Sequence, residues 1–212
     1  MSSATAATIE PVESPLTPES WGKLGMWIFI AGDAMSFGTL LAGYGAIRAG
    51  STDWPVPSNI LGISLTAFMT FLLICSSVTM VKALSAIRQG NAKGMRNFLL
   101  LTILGGVVFL GCQAYEWTHL IHAGLGLASN TIMLASDPTI QANYLFGTTF
   151  FAITGFHGAH VTGGVIYLTC IMIQGIRGKY SADNCHKVEI LGLYWHFVDL
   201  VWIMVFTFVY LL

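Results

Sequence analysis

Five long apolar stretches, separated by short polar connections, limit how this chain can fold more than any other feature. A helix needs about 20 mostly apolar residues to cross a bilayer. Stretches of that kind lie at residues 24–48, 59–84, 97–121, 144–176 and 188–212. We therefore expect an all-α, polytopic membrane protein. A disordered cytoplasmic tail at 1–20 would precede a single domain at 21–212, a bundle of five transmembrane helices.

The composition excludes several other classes of protein. Charged residues make up 9% of the chain, against about 25% in a typical soluble domain. The mean hydropathy is +0.71, which argues against a water-soluble enzyme and against a disordered chain. With a net charge of −1, the chain offers no basic surface, so no nucleic-acid partner is expected.

Charges in the connections predict the orientation. The connection between the second and third spans carries Arg88, Lys93 and Arg96, and the one between the fourth and fifth carries three further Lys or Arg residues. The long connection after the third span carries none. Because Lys and Arg accumulate on the cytoplasmic side, the N-terminus is predicted to be cytoplasmic and the C-terminus outside.

Polar side chains within the spans are the candidate functional residues, because an ionisable group in hydrocarbon is costly and needs a partner. They are Asp33 in the first span, Gln113 and Glu116 in the third, His157 and His160 in the fourth, and Glu189, His196 and Asp199 in the fifth. Residues three apart share a helix face, so each of the last three spans presents a polar stripe. We expect the stripes to meet, with a carboxylate of one helix accepting from an imidazole of another.

Three interpretations of these stripes follow from the residues alone. They could fix the bundle by interhelical hydrogen bonds, or they could relay protons or a solute. The third interpretation is a haem or copper centre. It is disfavoured because His157 and His160 lie on one helix and only His196 lies deep in another. The structural and relay interpretations stay open at this point, and no metal ligands are predicted.

Two long motifs resemble a known family. Residues 189–202 read EILGLYWHFVDLVW and residues 147–161 read GTTFFAITGFHGAHV. Both are similar to subunit III of the haem–copper terminal oxidases. Further segments agree with the same family: Phe109 with Gln113-x-x-Glu116, the segment 25–37, and Ser77-x-Thr79. The resemblance covers about 22–212 and implies the five-helix bacterial form.

The resemblance implies a non-catalytic core subunit of a proton-pumping cytochrome c oxidase in the bacterial inner (plasma) membrane. Its partners would be subunit I and subunit II, which carry the haem and copper, and other respiratory-complex subunits are possible partners. The chain itself would bind structural phospholipid and no redox cofactor. Asp33 and Glu116 would border a lipid cleft, and the acid at Asp33 is the family's carbodiimide-reactive one. Gln113, His157, His160, Glu189, Trp195, His196 and Asp199 would form an interhelical polar network.

The chain departs from the family at several positions. Gly32-Asp33 stands where the family has Ser-Glu, and Ser-Asp is typical of its quinol-oxidising relatives. Lys82, Ala83 and Leu84 stand where the family has a His pair after Ser77-x-Thr79. Gln113 and Glu189 favour the cytochrome c-oxidising branch.

Several alternatives remain. Within the family, they are a quinol oxidase subunit III and a nitric-oxide-reductase accessory protein of the same fold. From other classes, they are a small proton-coupled transporter that uses Asp33 and Glu116, and a stand-alone di-haem cytochrome.

Overall fold

The computed structural model describes residues 21–52, 54–126, 144–182 and 184–212. The described chain is helical: α1 Trp21–Gly50, α2 Pro57–Ile60, α3 Ile63–Arg88, α4 Ala92–His122, α5 Tyr144–Ile176 and α6 His186–Val205, which continues into a π-helical segment, Phe206–Leu211. Five of these helices are long and apolar enough to cross a membrane, which confirms the predicted architecture. The predicted tail at 1–20 and most of the connection before α5 lie outside the described residues.

The second span begins later than hydropathy predicted. Pro57–Ile60 forms a helical turn of its own, and α3 begins after Gly62. Ser58 and Asn59, at the predicted start of the span, belong to this separate turn. Gly62 precedes α3 in a non-helical conformation and provides no side-chain cap. The chain therefore turns once before it enters the membrane.

The third span begins earlier than predicted, at Ala92 rather than residue 97. The Asn91 side-chain oxygen accepts from the Gly94 backbone N–H at 2.8 Å, which satisfies one of the free donors at a helix start. Lys93 and Arg96 are therefore helical although they are charged, since a helix can continue into the interface beyond its apolar part.

Four long helices form a closed ring in which α3 packs on α4, α4 on α5, α5 on α6 and α6 on α3. The core of this ring holds large side chains that include Phe109, Trp195 and Trp202. Trp195 lies where α4 and α5 carry glycine. A Cβ added at Gly106 or at Gly164 would lie 2.8 Å from the Trp195 indole. The two glycines thus make room for the indole.

Helix α1 lies outside the ring, against α5 and α6. Its buried residues are Asp33, Phe37 and Tyr44, which share one face at helical spacing. Near its end, Arg48 contacts the backbone carbonyl of Leu212. The rest of α1 is a broad apolar surface, so this helix is attached along one narrow stripe.

Candidate functional site

Asp33 and His160 join α1 to the ring. Asp33 is 9% exposed, and its Oδ2 lies 3.2 Å from His160 Nε2. His160 Nδ1 lies 2.7 Å from the carbonyl oxygen of Phe156. Since that carbonyl can only accept, Nδ1 carries a hydrogen. In a neutral imidazole Nε2 is then an acceptor, as is a carboxylate oxygen. The contact between the two is attractive only when one further proton lies on the imidazole or on the carboxyl group. This is a carboxylate–imidazole contact between helices, although the one expected was among the stripes of the last three spans and did not involve Asp33.

Glu116 lies at a different interface. Its Oε2 accepts from the Tyr210 hydroxyl at 2.9 Å, and its Oε1 accepts from Thr66 at 3.2 Å. The side chain is 4% exposed and ties α4 to α3 and to the π-helical segment. It also lines a groove of about 320 Å³ that is bordered by Gly62 and His119. The two carboxylates expected to border one cleft are thus held by different partners.

His157 does not take part in a hydrogen bond with any described residue, contrary to the expected network. It is fully buried, and neither ring nitrogen has a partner among the residues that the structure describes. Its ring centroid lies 4.8 Å from Trp202, 5.7 Å from Phe109 and 6.3 Å from Phe37. Although it is three residues from His160, it points into the ring of helices, and it packs there as an aromatic side chain.

Gln113 bridges α4 and α5 through the backbone. Its Nε2 donates to the carbonyl oxygen of Thr154 at 2.7 Å. The amide packs against Gly158, where a Cβ would lie 3.0 Å from Oε1. The expected polar contact is therefore made to a main-chain carbonyl rather than to an imidazole.

The polar side chains of α6 bind hydroxyl groups of α3. Trp195 Nε1 donates to Ser76 Oγ at 3.0 Å, and His196 Nδ1 lies 2.7 Å from Ser77 Oγ. Asp199 is 8% exposed, and its Oδ1 has no hydrogen-bond partner among the described residues. The Ser77 hydroxyl thus joins α3 to α6 through His196.

Glu189 is separate from that cluster, although it was expected to share its face. It lies in the first turn of α6, where its carboxylate pairs with Lys23 Nζ at 2.7 Å and Arg88 at 3.5 Å. The residue therefore fastens α1 and α3 to α6 at the end of the bundle, outside the interior network.

Sequence reasoning missed the hydroxyl partners. Thr66 and Tyr210 both donate to Glu116, and Ser76 accepts from Trp195. Thr70 accepts from Trp202 Nε1 at 3.0 Å. A signal was present on α3, where Ser and Thr recur at helical spacing. Within the described parts of the chain, no three His, Cys, Asp or Glu side chains come together as a metal site.

Comparison with known proteins gives one consistent family. The sequence model described as Cytochrome c oxidase subunit III matches residues 20–212. The chain is 34% identical to quinol oxidase subunit 3 of Bacillus subtilis (strain 168) over 189 residues, which is 89% of this chain and 86% of that protein. It is 32% identical to cytochrome c oxidase subunit 3 of Alkalihalophilus pseudofirmus over 190 residues, 89% of this chain and 85% of that one. A probable quinol oxidase subunit 3 of Staphylococcus saprophyticus is 34% identical over 90% of this chain and 88% of its own length.

Proposed function

Since the chain belongs to the cytochrome c oxidase subunit III family, and is thus a multi-pass membrane subunit of a haem–copper oxidase complex, we propose that it is the non-catalytic core subunit of a proton-pumping cytochrome c oxidase. Subunit I and subunit II are its partners and carry the haem and copper. The chain stabilises subunit I, supports proton uptake by it and holds structural phospholipid. The complex lies in a bacterial plasma membrane.

The pairing of the polar side chains is the observation that supports a structural role for this chain. Asp33 meets His160, Glu116 meets Tyr210, and His196 meets Ser77, each pair across a different helix interface. A relay would need these groups to follow one another through the membrane. Their separate pairing favours a scaffold over a proton-coupled transporter.

Purification of the tagged chain in mild detergent tests this proposal. A reduced-minus-oxidised spectrum and mass spectrometry on the same sample should show haem bands together with subunits I and II. A colourless preparation of this chain alone, under conditions that keep other membrane complexes intact, would instead favour the transporter.

We propose cytochrome c as the electron donor, because Gln113 and Glu189 resemble the cytochrome c-oxidising branch. The competing donor is quinol. It is favoured by Asp33 in place of the family Glu and by the relatives named quinol oxidase subunit 3. The purified complex should oxidise reduced cytochrome c, and its subunit II should carry a dicopper-binding motif. Oxidation of a quinol alone would identify the other branch.

Asp33 is proposed as the carboxyl group that a hydrophobic carbodiimide modifies at the lipid cleft. It lies in the middle of α1, the helix that has the fewest buried residues of the five spans. Labelling of the complex should be lost in Asp33→Asn. Glu116 should label less, because hydrogen bonds from Tyr210 and Thr66 occupy both of its oxygens. Unchanged labelling of Asp33→Asn would refute this assignment.

A further inference from the structure

A groove runs along the outer face of α3 and α4, on the side of the ring opposite α1. It has a volume of about 290 Å³, comparable to the smallest ligand pockets. Its lining is mostly apolar: Leu72, Cys75 and Thr79 of α3, and Leu101, Leu104 and Val108 of α4. Its floor is formed where Gly105 approaches Ser76, since a Cβ added at Gly105 would lie 2.8 Å from the Ser76 Cβ. Its lining follows α3 from Leu72 to Thr79 and α4 from Leu101 to Val108.

Lys82 lies just beyond the groove lining, on the side of the α3–α4 turn. It is three residues beyond Thr79 and therefore continues the same stripe of α3. Phe98 continues the stripe of α4 in the same way, three residues from Leu101. The Lys82 ammonium lies 5.9 Å from the centre of the Phe98 ring, so the two helices present a cation and an aromatic ring at one point.

The charge on Lys82 is not compensated by the described part of the protein. The residue is exposed, and the described ion pairs involve Lys23, Arg88 and His160. Lys82 precedes the end of α3 at Arg88 by six residues, which is about 9 Å along the helix. At that depth a lysine stem lies on apolar surface and its ammonium reaches toward the headgroups. An uncompensated cation there attracts an anion.

We propose that the α3–α4 groove binds one anionic phospholipid, whose acyl chain lies between α3 and α4 and whose phosphate pairs with Lys82 Nζ. Basic residues between transmembrane helices are known to bind anionic headgroups, and Lys82 lies beside Phe98 between α3 and α4. This site is distinct from the cleft proposed at Asp33, because α1 packs on the opposite edge of the ring. The inference does not depend on the electron donor or on the role of Asp33.

Phosphatidylglycerol retention by the purified complex tests the proposal. Lys82→Gln removes the charge and keeps most of the side-chain length. Cys75→Trp fills the groove and keeps the charge. Lys93→Gln is the matched control, because Lys93 is exposed at the same end but outside the groove. Native mass spectrometry would count the lipids bound per complex during titration with phosphatidylglycerol and with phosphatidylcholine.

One tightly held phosphatidylglycerol is expected in the wild-type complex and in Lys93→Gln. Its affinity should fall about fivefold in Lys82→Gln, the loss expected for one lysine near a headgroup, and the lipid should be absent in Cys75→Trp. Equal retention in Lys82→Gln would overturn the proposal, and so would equal binding of phosphatidylcholine. Co-purification of subunits I and II, measured on the same samples, reports on the proposed function separately.

A photoreactive phenylalanine analogue in place of Leu104 identifies the occupant directly. Leu104 lines the groove and is 49% exposed. Cross-linking to a phospholipid supports the site. Cross-linking to a partner subunit would show that this face is a protein interface and would overturn the proposal.

Discussion

The Tyr210 hydroxyl lies 2.9 Å from Glu116 Oε2 and fastens the segment that continues α6 to α4. Tyr210 is 1% exposed and belongs to the π-helical segment Phe206–Leu211. A π-helical turn shifts the following side chains around the helix axis. Here it brings an aromatic hydroxyl onto a carboxyl group of α4.

Tyr210→Phe should destabilise the chain, because it leaves a buried carboxyl oxygen without its donor. The cost expected for an unsatisfied buried group is about 1–3 kcal/mol, which should appear as a lower thermal midpoint in detergent. Tyr115→Phe is the control, since Tyr115 is 65% exposed and should leave the midpoint unchanged. Equal midpoints for both variants would show that the Glu116 contact contributes nothing.

Gly106→Ala should disturb the centre of the ring. The added Cβ would lie 2.7 Å from Val165 and 2.8 Å from Trp195, and overpacking of this kind costs about 1–3 kcal/mol. Gly111→Ala on the same helix is the control, because nothing lies within 4 Å of its Cβ position. Thermal midpoints of the two variants should therefore differ. If Gly106→Ala is as stable as Gly111→Ala, the close packing around Trp195 is not needed.

Asp33 and His160 should show strong coupling in a double-mutant cycle. Asp33→Leu and His160→Leu each leave a buried polar partner unpaired, which is more costly than removing both. We expect the double variant to lose less stability in detergent than the two single losses added together. Additive losses would mean that the 3.2 Å contact does not stabilise the fold.

His157→Phe should be tolerated, because the imidazole packs against Trp202 and Phe109 and its nitrogens have no described partner. His157→Ala should cost about 3–5 kcal/mol, as for other large buried rings. Retention of subunit III on the purified complex at increasing temperature measures both. A loss in His157→Phe as large as that in His157→Ala would reveal a hydrogen bond to the imidazole.

The sequence was sufficient to predict the five spans, because their apolar length is set by the bilayer. It failed at Gly62 and Asn91, where the limits of a helix depend on local backbone hydrogen bonds rather than on hydropathy. The predicted orientation and the roles in lipid binding stay predictions.

Helix-face spacing singled out side chains that make contacts between helices, but it did not predict their partners. The contact between Asp33 and His160 was not expected, because the predicted stripes lie on the last three spans and Asp33 lies on the first. Spacing also grouped Glu189 with His196 because the two share a helix face. Spacing does not take account of the position along the helix axis, and Glu189 pairs with Lys23 at the end of the bundle instead. Tyr210 was missed because a tyrosine near the end of an apolar span is usually an interfacial aromatic.

The position of α1 outside the ring has a consequence for biosynthesis. Asp33 enters the membrane early, whereas His160 follows 127 residues later in the chain, a delay of roughly 6–25 s at about 5–20 residues per second. During that interval the carboxyl group has no imidazole to meet, and its presence in hydrocarbon costs about 2.5–3.5 kcal/mol. Helix α1 is therefore made before α5 and α6, the helices it packs against, and a ribosome stalled before α5 leaves Asp33 in the lipid without its partner.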